Sequence, residues 1–519
     1  MSTLSAYEQI KANIDADGKL PHTFSLEEKP APNQIGFMPG AMDGVGIFHA
    51  GGGKEEKAIK KVDSLLRKYF KTGKEKYIAK IENILTNSRT ISVIDPILES
   101  IRNDEKSIDA GKVFEASLHI VKTSHNIELV KLGIALLGLF DIDEPHEARE
   151  ITITLSSYDD FTLYAVVAAA NWSNGNDAIY KIAKRVDGWG KIHAVERLEP
   201  DTEEIKNWIL RHGCSNGIMD AYLGLTCAVK GDLISALRQE VIDDELFNSA
   251  AIIIDALLDE GPVDGISVYE HANEAMTLFM RHAENHVNTI ESLWRIFNIK
   301  SWAELSDSDY KNIVLSQCDE IASRPQWREK IVEVITNNEN DFAFFCASNV
   351  ASRMDVDISK ELFAAVKSEP LKHYPSVQRL FNKTDMAHEL IAMYESILPL
   401  NDMAEGMGDY LFSDKRNQEH MCLDFILPEL ASYPMQGVEL IKTGLNSRVV
   451  RGRNMACRAL SGWMKLLNKQ LDEISPELYE ELKRISKIEV NADTKEIMRK
   501  LLNGDANILM DSPTPLQSD

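Results

Sequence analysis

Four groups of residues have types and spacings that could do chemistry. Gly213, Cys214, Ser215, Asn216 and Gly217 satisfy the G-x-S-x-G expression of a serine nucleophile elbow. An elbow strains its serine on a turn between a strand and a helix, which exposes the hydroxyl for attack. Here the preceding NWILRH has helical spacing and a second helix is expected to follow. Gly213 therefore reads as a helix C′ residue and Ser215 as the next N-cap, and no catalytic residue is assigned.

His282 and His286 lie one helical turn apart, so both imidazoles can face one metal, with His271 and Glu274 nearby in sequence. They are the metal candidates, although Glu284 falls off their face and the HExxH arrangement of zincins is absent. A polar helix face accounts for the same pair. The glycine run before the first strong helix supplies the candidate ligand set: Gly44, Gly46, His49, Gly51, Gly52, Gly53 and Lys54. Phe48 and Glu55 break the Walker pattern and His49 breaks G-x-G-x-x-G. Its backbone amides could still hold an anion at the next helix N-terminus, or the run could fold as a clasp on the body. Finally, residues 54–80 carry ten basic and four acidic side chains, and a second cluster surrounds SRVVRGRNMACR. Lys57, Lys60, Lys61, Arg448 and Arg451 are accordingly the candidate partner-binding residues.

These groups must be positioned by helices. In KAIKKVDSLLRKYF, Ile59, Val62, Leu65, Leu66, Tyr69 and Phe70 form one stripe with a period of 3.6 residues, and similar stripes continue to about Leu502. Asp95 before Pro96 and Ser475 before Pro476 have the form of N-caps, and Asp201 with Glu204 has capping-box spacing. Helices starting near Asp160, Trp189, Ser215 and Asp244 would each leave room for a second short helix before the next start, the arrangement of stacked αα-hairpins. No period-2 strand interrupts them.

Residues 1–53 differ, with Pro21, Pro30, Pro32, Pro39 and the glycine run. We expect an irregular arm, docked in part through Ile35, Phe37, Met38, Met42, Val45, Ile47 and Phe48. Residues 54–503 form the helical repeat domain and residues 504–519 a flexible tail.

The 519 residues carry a net charge of −24, which argues against nucleic acid as a partner. No apolar window approaches a membrane span; the richest, Leu129 to Phe140, is short and contains Lys131. The six cysteines form no CxxC pair, so a reducing, cytoplasmic setting is expected, with no membrane partner.

GWGKIHAVERLEPDTEEIKNWILRHG, from Gly188 to Gly213, and VRGRNMACRALSGW, from Val450 to Trp463, resemble HEAT-like helical hairpins. The chain is similar over residues 54–503 to bacterial HEAT-like proteins, some of which are labelled limonene hydroxylase. The resemblance implies an all-α fold, an α-α superhelix. The hydroxylase label would imply a redox centre, but no cysteine-centred haem loop, flavin fingerprint or facial metal triad is visible. We therefore expect no cofactor and a non-catalytic scaffold that binds a protein or peptide on its concave face. The alternative is a small-molecule binder or enzyme, such as a monoterpene hydroxylase, with a pocket formed by the arm.

Overall fold

Apolar stripes of helical period become helices wherever they occur. The computed structural model describes residues 4–21, 23–26, 38–48, 55–104, 107–143, 146–261, 263–306, 311–404, 406–408 and 418–508. The chain is 71% helix, with no strand among the described residues, so the all-α expectation holds. In Glu56–Thr72 the stripe buries Val62, Leu66, Tyr69 and Phe70, and the helix stops at Gly73, which adopts a left-handed φ of +59° as a C-cap. Ser475 caps Pro476–Ile488, its hydroxyl accepting from the Leu478 amide, with Pro476 at the first helical position.

Other boundaries fall elsewhere than expected. Asp95 lies inside the first turn of Ile94–Asn103, because the helix begins before the proline. Thr202 rather than Asp201 caps Glu203–Trp208, since its hydroxyl reaches the Ile205 amide at 3.2 Å. Ser215 is exposed and caps nothing. The neighbouring Asn216 organises that turn, accepting from the amides of Ile218 and Met219 and donating to the carbonyls of Cys214 and Met219.

The helices pack in a regular order. Ile127–Leu137 packs on Asp159–Ala169, which packs on Gly188–Arg197, then Ala221–Lys230, Asp244–Leu258 and Ile290–Leu305. Each member of this row thus touches the next member rather than only its sequence neighbour. Other helices alternate with the row and pack among themselves, as Ala110–Thr123 does on Glu147–Leu155 and Leu233–Leu237 on Ala272–His286. One apolar core runs continuously from Ala6 to Leu501, and all six cysteines are free and buried in it. At the C-terminal end, Arg453 on Val450–Leu467 is sealed in a bidentate pair with Glu489, at 2.6 and 2.7 Å.

The N-terminal region, expected to be irregular, contains two helices. Ala6–Asn13 is held by a Ser5/Glu8 capping box, its first amide donating to Ser124 O at 2.9 Å, and packs on Glu147–Leu155. Ala41–Phe48 lies over the row of helices. Of the expected tail, residues 504–508 are described, and Ser461 donates its hydroxyl to the Ala506 carbonyl at 2.8 Å. No helix among the described residues is long and apolar enough to cross a membrane.

Candidate functional site: the face beneath the Ala41–Phe48 helix

Ile127–Leu137 is almost wholly buried, so a charged side chain within it must find partners or be expelled. Lys131 finds three. Its ammonium, 1% exposed, lies 2.9 Å from Asp43, 3.0 Å from Glu128 and 3.2 Å from Asp160. Burial disfavours the charged ammonium, but the three carboxylates outweigh it and hold the Lys131 pKa above its usual value. Glu128 is also pushed up by burial, yet ends below the usual range because Lys131 and the Thr90 amide, 2.6 Å away, favour the anion. Asp43 moves the other way. Burial raises it more than Lys131 lowers it, and Tyr164 donates its hydroxyl to it at 3.1 Å.

Asp43 is supplied by the arm, while its three neighbours come from the row. The arm helix crosses the row at this point because two glycines permit close approach. Gly40 has a left-handed φ of +76°, and a Cβ there would meet Trp189 Cβ at 2.9 Å. A Cβ on Gly44 would overlap the Trp189 ring itself. Trp189 opens Gly188–Arg197, whose N-terminus is capped across the row by Asp159, the acceptor of the Trp189 and Gly190 amides. Burial pushes the Asp159 carboxyl up to about 7 in spite of those donors.

Past Trp189 the helix ends on an aromatic cluster. The Phe48 ring lies 4.7 Å from Tyr222, 6.1 Å from Trp189 and 6.4 Å from His193, nearly parallel to the imidazole. His193 is 0% exposed, and neither ring nitrogen has a partner among the described residues. Burial depresses its pKa to about 3. The helix therefore spans four successive members of the row, touching Lys131, Tyr164, Trp189 with His193, and Tyr222. Farther along, the row carries Asp255, which accepts from Asn298 at 3.0 Å.

The sequence-derived candidates are distributed differently. Gly44 and Gly46 lie inside a helix, so at those positions the run forms no loop; Gly44 packs on Trp189 and Gly46 faces open space. His49, Gly51, Gly52, Gly53 and Lys54 lie outside the described residues, as do Ile35 and Phe37. The docking surface also differs from expectation: Ala41, Asp43 and Gly44 are buried, whereas Met38, Val45 and Ile47 are 58%, 39% and 42% exposed.

His282 and His286 turn to separate partners. His282 Nε2 lies 3.0 Å from the Leu237 carbonyl and His286 Nδ1 lies 2.6 Å from Asp244. Glu274 is engaged by Arg238 at 2.8 Å. Among the described residues no group of three or more His, Cys, Asp or Glu has metal-holding geometry.

Lys57, Lys60 and Lys61 are exposed on Glu56–Thr72. Lys60 and Lys61, with Lys68 and Lys80, border a groove of about 550 Å³ floored by Leu65 and Ile84. Arg448 and Arg451 lie at the far end of the chain, half-buried, with Arg451 4.0 Å from the buried Asp424.

Sequence reasoning overlooked Lys131, Asp43, Asp159, Asp160, Tyr164, Trp189, His193 and Tyr222. One signal was present. Lys131 interrupts the most apolar run of the chain, and a lysine that cannot reach solvent has to be paired. Comparison with models of protein families and with curated proteins finds no match.

Proposed function

We propose that the chain is a HEAT-like helical scaffold, without catalysis of its own, that binds short helical segments of other proteins across the row from Ile127 to Lys230. The observation carrying this reading is the seated Ala41–Phe48 helix. The helix and the glycine before it are held by an ion pair to Lys131, two close glycine contacts on Trp189, and an aromatic cluster shared by Trp189 and Tyr222, so three members of the row contribute. A surface that receives one short helix has the shape and polarity to receive another. Stacked helix pairs suit this role because they expose a long face whose side chains can vary without disturbing the core.

The alternative, a small-molecule pocket under the arm, is less well supported. The contact region is filled by Trp189, Phe48 and Tyr222, and the polar groups there are already paired or sealed.

A selection of displayed helical peptides on the full-length protein tests the proposal, followed by hydrogen exchange to locate the bound peptides. Protection of residues 127–230 is expected. Peptides that protect only other regions, or no enrichment over a control protein, would overturn it.

A further inference from the structure

The arm helix fits its seat imperfectly. Among the described residues, Asp43 Oδ1 is buried with no hydrogen-bond partner, and both nitrogens of the buried His193 have none. Such atoms are penalised relative to water. Met38, Val45 and Ile47 point to solvent, so within the described part of the segment the apolar burial comes from Ala41 and Phe48. What remains is one carboxylate on Lys131 and Tyr164, glycine backbone against Trp189, and one ring on Tyr222.

The row, in contrast, is electrostatically complete without the arm. If Asp43 withdraws, Lys131 keeps Glu128 at 3.0 Å and Asp160 at 3.2 Å, so no ammonium is left unpaired. With Asp43 present, three carboxylates share one ammonium. The ammonium and the Tyr164 phenol can therefore take up a third carboxylate, or release it, without leaving a buried cation alone.

Resting on the peptide-binding reading above, we propose that Ala41–Phe48 is an exchangeable occupant of this face and that its competitor is a protein segment of matching chemistry. That segment folds as a short helix and carries a carboxylate, a glycine directly after it, and an aromatic ring five residues beyond the carboxylate. These are the positions of Asp43, Gly44 and Phe48. The carboxylate is required because the seat offers a buried ammonium and a phenol. Glycine is required because the Trp189 ring occupies the space of a Cβ, and the ring fills the site between Tyr222, Trp189 and His193. Binding of the partner releases residues 38–48, so the arm sets the threshold of affinity a partner has to exceed.

The test uses a fluorescent peptide of residues 38–48, MPGAMDGVGIF, titrated by anisotropy into full-length wild type, Asp43→Asn and Gly44→Leu proteins. Both substitutions weaken the arm and leave the face intact, and circular dichroism shows whether each variant keeps its helix content. The peptide is expected to bind both variants at least tenfold more tightly than wild type. Asn in place of the peptide's Asp is expected to remove at least tenfold of that affinity. Equal affinity for wild type and variants would overturn exchange while leaving a peptide-binding face. Hydrogen exchange showing residues 41–48 released in a variant that binds no peptide would overturn the exchange and the peptide-binding reading together. Residues 41–48 staying protected in both variants would overturn the exchange alone.

Discussion

At the scale of residues, the chain concentrates its buried charge in a few places, and each makes a distinct prediction. Replacing Lys131 by Met leaves Asp43, Glu128 and Asp160 facing one another without a cation. Breaking a buried pair from one side costs about 3–5 kcal/mol, and chemical denaturation of Lys131→Met is expected to show a loss of that order. Combined with Asp43→Asn the loss should be smaller than the sum of the two single effects, because the second change relieves repulsion left by the first. Arg453→Met should behave alike at the other end of the chain, where it would strand the fully buried Glu489.

His193 gives a prediction in pH. Its folded pKa, about 3, lies below the unfolded value of about 6.5. The unfolded chain therefore takes up a proton that the native state refuses, and stability falls as pH drops from 6.5 towards 3. Asp159 acts oppositely. Its folded pKa of about 7 exceeds the unfolded value of about 3.9, so its contribution is full below pH 4 and is lost as pH rises through 7. Denaturation of His193→Phe across pH 4 to 7 should consequently show less loss of stability on the acid side than wild type. An unchanged acid limb would contradict the burial of His193 in its neutral form.

At the scale of elements, glycine placement decides whether the arm docks. Gly44→Ala puts a methyl group into the Trp189 ring, and overpacking of this kind costs roughly 1–3 kcal/mol. The expected consequence is local: faster amide exchange over residues 41–48, with exchange in Val450–Leu467 unchanged. Much of the helical framework was legible from sequence, because stripes such as Val62, Leu66, Tyr69 and Phe70 specify both the helix and its inward face. Ser475 with Pro476 announced its cap correctly. Boundaries failed where two polar residues competed for one amide, as Asp201 and Thr202 did, since only the local backbone path decides which oxygen reaches it.

The site itself was poorly legible for a physical reason. Asp43 precedes Lys131 by 88 positions and Asp160 by 117, and no local pattern records that a helix of the arm will cross four helices of a distant row. The glycines of the arm were noticed, but as loop-forming residues. The close approach that uses Gly44 depends on Trp189, 145 positions away. Of the apolar residues expected to dock the arm, Phe48 does so, whereas Val45 and Ile47 face solvent and the charged Asp43, which was not expected, is buried in the contact.

At the scale of the whole molecule, the packing order of the row makes a claim about shape. On the HEAT-like reading proposed above, successive members that touch in series would generate an elongated stack. A compact globule of this length would have a radius of gyration of about 24 Å. Small-angle scattering is expected to give a clearly larger value with an extended pair-distance distribution, and a value at the globular figure would exclude the superhelix. The charge distribution acts at the same scale. The groove of Lys60, Lys61, Lys68 and Lys80 lies on a chain that is otherwise strongly acidic, so charge is unevenly distributed along the molecule.

Hydrogen exchange on the intact protein, comparing wild type with Asp43→Asn, tests the claim on which the account rests: that four successive row helices jointly hold one short helix. Loss of protection confined to residues 41–48 and to the row positions around Lys131, Tyr164, Trp189 and Tyr222 is the predicted result. Unchanged protection over residues 41–48, or a loss that spreads through the chain to Leu502, would contradict it.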